Sequence, residues 1–139
     1  MRALRAALAD AGMQPEDVGY VNAHGTATPE GDPVEIDALK TVFGPQAPAL
    51  AVSASKSMLG HLLGAAGAIE AAITIMALAR QEIPPTAHLD DIAPACSGVR
   101  HIAGRGSTGE QFRAALSNSF AFGGSNAVLA FRADENACP

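Results

Sequence analysis

With 139 residues, 48% of them hydrophobic against 17% charged, the sequence has the balance of one globular domain rather than of a disordered chain. A formal net charge of −5 gives no basic footprint for nucleic acid or for an anionic membrane surface. Two cysteines, Cys96 and Cys138, without metal-ligand spacing suit a reducing compartment with free thiols, a single disulfide being the alternative.

The opening MRALRAALADAG carries Arg2 and Arg5 and is too broken by charge to hold a secretory hydrophobic region, so the cytoplasm is the expected location. Residues 2–12 read as an amphipathic helix with Leu4 and Leu8 one turn apart and Gly12 closing it. Pro15, Glu16 and Asp17 form a turn, and residues 18–23 (VGYVNA) a short strand running into His24. HGTATPEG is a loop. Asp32 is then expected to cap a helix that has Pro33 at its first position and Glu35 three residues after the cap, with Ile36, Leu39 and Phe43 on its apolar face and Gly44 at its end.

Residues 50–53 read as a second strand, followed by the polar loop ASKSMLG and a long apolar stretch. Residues 62–79 (LLGAAGAIEAAITIMALA) reach the lower length limit for crossing a bilayer, but Glu70 lies near the middle, which lipid penalises. Leu62, Ile69, Ile73 and Met76 share one helical face, Leu63, Ile75 and Leu78 point elsewhere, and Ala and Gly fill the gaps. The expectation is a core helix buried on several sides, with no membrane partner. A 139-residue domain has little volume in which to hide such a helix, so a covering surface is expected from a missing half or from another subunit.

IPPT at residues 83–86 stops that helix. Residues 88–109 read as irregular, with a short strand at 99–102, and residues 112–119 and 125–131 as two antiparallel strands joined by FAFGG. The order strand, helix, strand, buried helix, strand, strand is an α/β layer pattern.

Two histidines occupy equivalent settings, each after a strand and in a Gly-rich turn, where chemistry gathers in open α/β sheets. His61 is also expected at the first turn of the long helix, whose dipole favours neutral imidazole. A neutral ring donates a hydrogen bond to a carbonyl oxygen as negative charge builds there. A structural role for each histidine is the alternative reading. Lys56, in a loop without a nearby acid, reads on its own as a solvated surface lysine. Asp32 and Glu35 have an adequate role as helix caps. Glu70, a carboxylate in an apolar helix, needs a buried partner. The glycines of the FAFGGSN turn, Gly123 among them, free main-chain N–H groups for an anion or oxyanion.

Three segments, VNAHGTATPEGD (21–32), SASKSMLGHLLGAAGAIE (53–70) and SNSFAFGGSNA (117–127), resemble the carboxy-terminal motifs of β-ketoacyl-acyl carrier protein synthases, in the family's order and over essentially the whole chain. The resemblance implies the carboxy-terminal half of a thiolase-like α/β fold, a mixed sheet with a central buried helix. It also implies decarboxylative Claisen condensation in fatty-acid or polyketide synthesis, with substrates carried on the phosphopantetheine of acyl carrier protein and no further cofactor or metal. By motif, His24 and His61 hold the malonyl thioester carbonyl. Lys56 sits behind His24 with Glu35 as its ion partner, and Thr26 and Thr28 contact the phosphopantetheine arm. Phe122 resembles a gating phenylalanine whose N–H helps form an oxyanion hole, and Phe120 lines the same pocket.

The family's nucleophilic cysteine precedes the first histidine motif and has no counterpart among these residues. Cys96, in APACSG, imitates it but follows both histidines and Pro94, and shows no helix amino terminus to activate a thiolate. The sequence is accordingly expected to be a fragment, one polypeptide of a split enzyme that dimerises when complete, or a non-catalytic subunit that binds acyl carrier protein. A thiolase-like acyltransferase or a hydrolase with His24 as general base is the reading from another class, although no G-x-S-x-G elbow supports the hydrolase.

Overall fold

The computed structural model describes residues 1–133; Cys138 lies outside them. The elements in chain order are α1 (Arg2–Asp10), β1 (Val18–Asn22), α2 (Gly31–Phe43), β2 (Ala51–Ser53), α3 (Lys56–Leu59), α4 (Ala66–Arg80), β3 (Glu82–Ile83), β4 (Arg100–His101), β5 (Ser107–Thr108), β6 (Ala114–Phe120) and β7 (Asn126–Arg132).

Five strands form one sheet in the order β4-β2-β1-β6-β7. β1 runs parallel to β2 and β6, and β2 parallel to β4, whereas β7 returns antiparallel to β6 from Ala114↔Arg132 to Phe120↔Asn126. The sheet is therefore mixed, with β1 at its centre. β3 and β5 make a separate antiparallel pair, an element without a sequence signal because each strand is two residues long.

Side chains alternate across the sheet and give it two cores. Val21, Val52 and Leu116 face Leu4 and Leu8 of α1 and Ile36, Leu39 and Phe43 of α2. Tyr20, Ala51 and Ala115 point the other way, onto Ala77 and Leu78 of α4, with Ile83, Ile102 and Phe112 completing that layer. Gly19 admits the second layer: a Cβ there would stand 2.4 Å from the Phe112 Cβ.

The long helix departs from its expected burial. It begins at Ala66, after a 3₁₀ turn at Leu63–Ala65, and ends on Gln81 in the left-handed conformation, before the prolines. Its buried stripe is Ala66, Glu70, Thr74, Ala77 and Leu78. Leu62, Leu63, Ile69, Ile75 and Met76 are exposed. The polar side turns inward because the sheet holds partners for it. Asn22 donates to the Glu70 carbonyl, as does the Thr74 hydroxyl, and Lys56 reaches the Glu70 carboxylate. By length and composition the segment Leu63–Arg80 would also cross a membrane, but this polar stripe packs on the sheet.

Candidate active site

β2, β1 and β6 are adjacent and parallel, so their carboxyl ends open on one edge of the sheet. His24 follows β1, His61 lies beyond β2 and α3, and Phe120 is the last residue of β6. These ends bring the rings together. His24 and His61 meet edge to face with centroids 5.6 Å apart and planes at 84°, and Phe120 stands 5.9 Å from the His24 ring on another side.

His24 is half-buried, and its imidazole is lowered from 6.5 to about 4, chiefly by burial and further by the positive charge of Lys56 and by His61. The ring is neutral at pH 7. Its Nδ1 is buried with no hydrogen-bond partner among the described residues, which leaves Nε2 as the atom to meet a ligand. His61 is exposed and does not lie in the first turn of the long helix; it precedes the 3₁₀ turn by two residues. Its tautomer is set by a main-chain group instead. Nδ1 accepts from the Leu63 N–H at 3.2 Å, so a neutral ring carries its proton on Nε2.

Behind the rings, the expected pairing of Lys56 with Glu35 is replaced by another. Lys56 is buried and its Nζ lies 2.5 Å from Oε1 of Glu70. Glu70 thus has the buried partner its position demands, and Lys56 is not a solvated surface residue. Glu35 turns to the main chain, its Oε1 accepting from His24 N–H at 2.9 Å and its Oε2 from Gly25 N–H at 3.0 Å. Gly25 is required here: its φ is +41° and a Cβ would lie 2.5 Å from that of Ala54.

This also dissolves the expected capping box. α2 starts at Gly31 with Glu30 at its N-cap and no cap bond from a side chain there, so Asp32 and Pro33 lie inside its first turn; Thr28, further back in the loop, has its Oγ1 accepting from Gly31 N–H at 3.1 Å. Thr26 Oγ1 lies 3.5 Å from Thr28 Oγ1. Phe122 is fully exposed, on a tight turn where Gly123 takes φ +76°.

Polar residues missed in the sequence complete the floor. Asn118 Nδ2 donates to Glu35 Oε1 at 2.8 Å, Ser55 donates to the Asn22 side chain at 3.1 Å, and the Tyr20 hydroxyl lies 3.0 Å from Ser53 Oγ. For Asn118, Asn22, Tyr20 and Ser53 the signal was a polar group inside a run that otherwise reads as buried strand; Ser55, in a polar loop, gave none. Cys96 lines a separate cavity of about 520 Å³, whose walls include neither His24 nor His61. Burial and the nearby Asp32 and Asp37 push its thiol up, away from a reactive thiolate.

A mixed sheet with two helices on one face, a small-residue helix on the other and paired imidazoles at its carboxyl edge has the architecture of the thiolase-like condensing enzymes. Residues 1–90 match the family model of the beta-ketoacyl synthase C-terminal domain, and the chain belongs to the β-ketoacyl synthase family. A 3-oxoacyl-acyl-carrier-protein synthase 2 from Synechocystis is 48% identical over 131 residues, 94% of this chain and 31% of that protein. A beta-ketoacyl synthase from Burkholderia phymatum is similar at 41% identity and a TM-score of 0.88, over 94% of this chain and 31% of that one. A type II PKS acyl-carrier protein in complex with its ketosynthase bound to the hexaketide gives a TM-score of 0.91 at 34% identity, over 96% of this chain and 32% of that one. The chain spans about a third of the length of these relatives and corresponds to their C-terminal portion.

Proposed function

We propose that this chain supplies the decarboxylating half of a ketosynthase site, which forms the carbanion for chain elongation. The observation that carries the reading is the meeting of two imidazoles at one sheet edge, one held neutral by burial and Lys56, the other with Nε2–H fixed as donor by Leu63.

In this reading a malonyl thioester places its carbonyl oxygen between the two Nε2 atoms. The bond to the carboxylate breaks heterolytically, CO₂ leaves, and the electron pair passes into the carbonyl as an enolate. The neutral His24 ring receives that growing charge without first forming an ion pair with the departing carboxylate. One such donor contributes about 10²–10³ in rate. The enolate carbon then attacks an acyl thioester on a cysteine of the polypeptide portion that precedes this one in the relatives. A carbon–carbon bond forms and the cysteine thiolate is released.

Thr26 and Thr28 face the phosphopantetheine arm, Phe120 packs the His24 ring, and the Phe122 and Gly123 N–H groups serve the oxyanion. Acyl carrier protein is the macromolecular partner, a ketosynthase amino-terminal portion covers the apolar face of α4, the complete enzyme is a dimer, and its compartment is the cytoplasm. Fatty-acid and polyketide synthesis share this chemistry.

The test is CO₂ release from malonyl-acyl carrier protein by the chain assembled with the amino-terminal portion of a relative. Release that needs both parts is expected. An assembled complex that binds the substrate and releases no CO₂ contradicts the reading and leaves the chain a carrier-protein-binding element.

A further inference from the structure

Three donors converge on the buried Glu35 carboxylate, and they come from two adjacent strands, the central β1 and its neighbour β6. Two are the main-chain N–H groups of His24 and Gly25 after β1, and the third is the Asn118 side chain on β6, 83 residues away from Glu35. Asn118 is itself fully buried. It bonds the same oxygen that receives the His24 N–H.

We infer that Asn118 is a positioning residue for His24, acting through Glu35: its amide keeps the carboxylate ionised and aimed, and the carboxylate in turn pins the main chain at His24 and Gly25. An ionised carboxylate accepts all three bonds, whereas protonation puts an O–H on one oxygen and sets it against a donor. Burial works toward protonation and pushes the Glu35 carboxyl up, the three donors oppose this, and Asp32 on the same helix adds to the upward push. The other titratable groups near it are the His24 ring after β1 and, across the cavity Glu35 also lines, Asp91, Cys96 and His101. Lys56 gives its charge to Glu70. Removing Asn118 therefore raises the pH at which Glu35 takes up a proton and releases the His24 main chain.

The consequence for catalysis rests on the reading of His24 given above, but the device is tested without it. Heteronuclear NMR of the full chain follows the His24 and Gly25 amide shifts, which report the protonation of the carboxylate they bond. Both amides are expected to titrate with one midpoint, and in Asn118→Leu that midpoint rises by about one pH unit or more. Leu116→Ala, on the same strand and buried but with no polar side-chain atom to bond Glu35, weakens packing without moving it. An unmoved midpoint in Asn118→Leu, or an equal rise in Leu116→Ala, overturns the inference. Should Asn118→Leu not fold, Asn118→Ser is read by the same criterion. In the assembled enzyme, the acid limb of the decarboxylation profile moves up with the same variant and activity recovers at higher pH. A wild-type complex without decarboxylation removes the functional reading and leaves the amide titration to decide the role of Asn118.

Discussion

The ammonium of Lys56 and the carboxylate of Glu70 meet at 2.5 Å with both side chains almost wholly out of solvent. The pair ties the short helix after β2 to the second turn of α4, beside His24. Breaking one side leaves an uncompensated buried charge, so Lys56→Met or Glu70→Leu alone is expected to cost about 3–5 kcal/mol of stability. The double variant Lys56→Met/Glu70→Leu recovers most of that loss. Denaturant unfolding of the three variants measures it.

The same lysine acts on His24. With the ring lowered to about 4, first by burial and then by Lys56, the folded state binds fewer protons than the unfolded state between pH 4 and 6.5. The contribution to stability is present above pH 6.5 and is lost as pH falls toward 4. Neutralising the pair with Lys56→Met/Glu70→Gln is expected to raise the ring's midpoint by about one unit, burial keeping it below the free value. Proton NMR of the imidazole across that range checks both the midpoint and its direction of change.

Tyr20 is the sole tyrosine of the chain. Its hydroxyl is pushed up to about 12, by burial foremost and by the nearby Glu70, with the Ser53 bond pulling the other way. Tyrosinate absorbance should not develop near the ordinary value of 10. It should appear at about 12, or in one step with alkaline unfolding if that comes first. Ser53→Ala, which removes the opposing bond, delays it further.

On the outer face of α4, Ile69, Ile75 and Met76 are 41%, 48% and 49% exposed, an apolar surface left open by the described residues. Ile75→Glu is expected to change the chain's own stability by no more than about 0.5 kcal/mol. It should weaken assembly with the amino-terminal portion of a relative by about tenfold or more, the equivalent of about 1.4 kcal/mol. Leu39→Ala, in the core between α2 and the sheet, does the reverse: it costs about 2–5 kcal/mol and leaves the assembly surface intact. Paired unfolding and binding measurements separate the two.

Much of this was legible before any coordinates. Strand β1, the β6–β7 hairpin and the apolar face of α2 follow from alternation and helical spacing, and the placement of His24 and His61 after neighbouring strands follows with them. Long-range partners were not legible. Lys56 looked solvated because its partner lies 14 residues on, in a separate helix. Which stripe of that helix this chain itself covers was not legible either, because its apolar residues lie nearly all round. Asn22 of the sheet and Lys56 of α3 offer polar partners, so the helix turns Glu70 and Thr74 inward.

Glu35 illustrates a similar limit. Its spacing after Asp32 fits a capping box, but the helix starts before Asp32 and the carboxylate bonds the main chain at His24 and Gly25 instead. Short-range spacing could not weigh a local cap against a contact across the loop. Asn118, reaching Glu35 from the far end of the chain, showed only as a polar residue in a buried strand, with nothing local to name its partner.

The central claim is that His24 and His61 act as one unit on a single oxygen, and a double-variant cycle on decarboxylation in the assembled enzyme tests it most directly. His24→Ala and His61→Ala are each expected to lower the rate by about 10²–10³, and the double variant to fall little further than the slower single variant. Losses that multiply in full, or either single variant retaining the wild-type rate, would contradict the account.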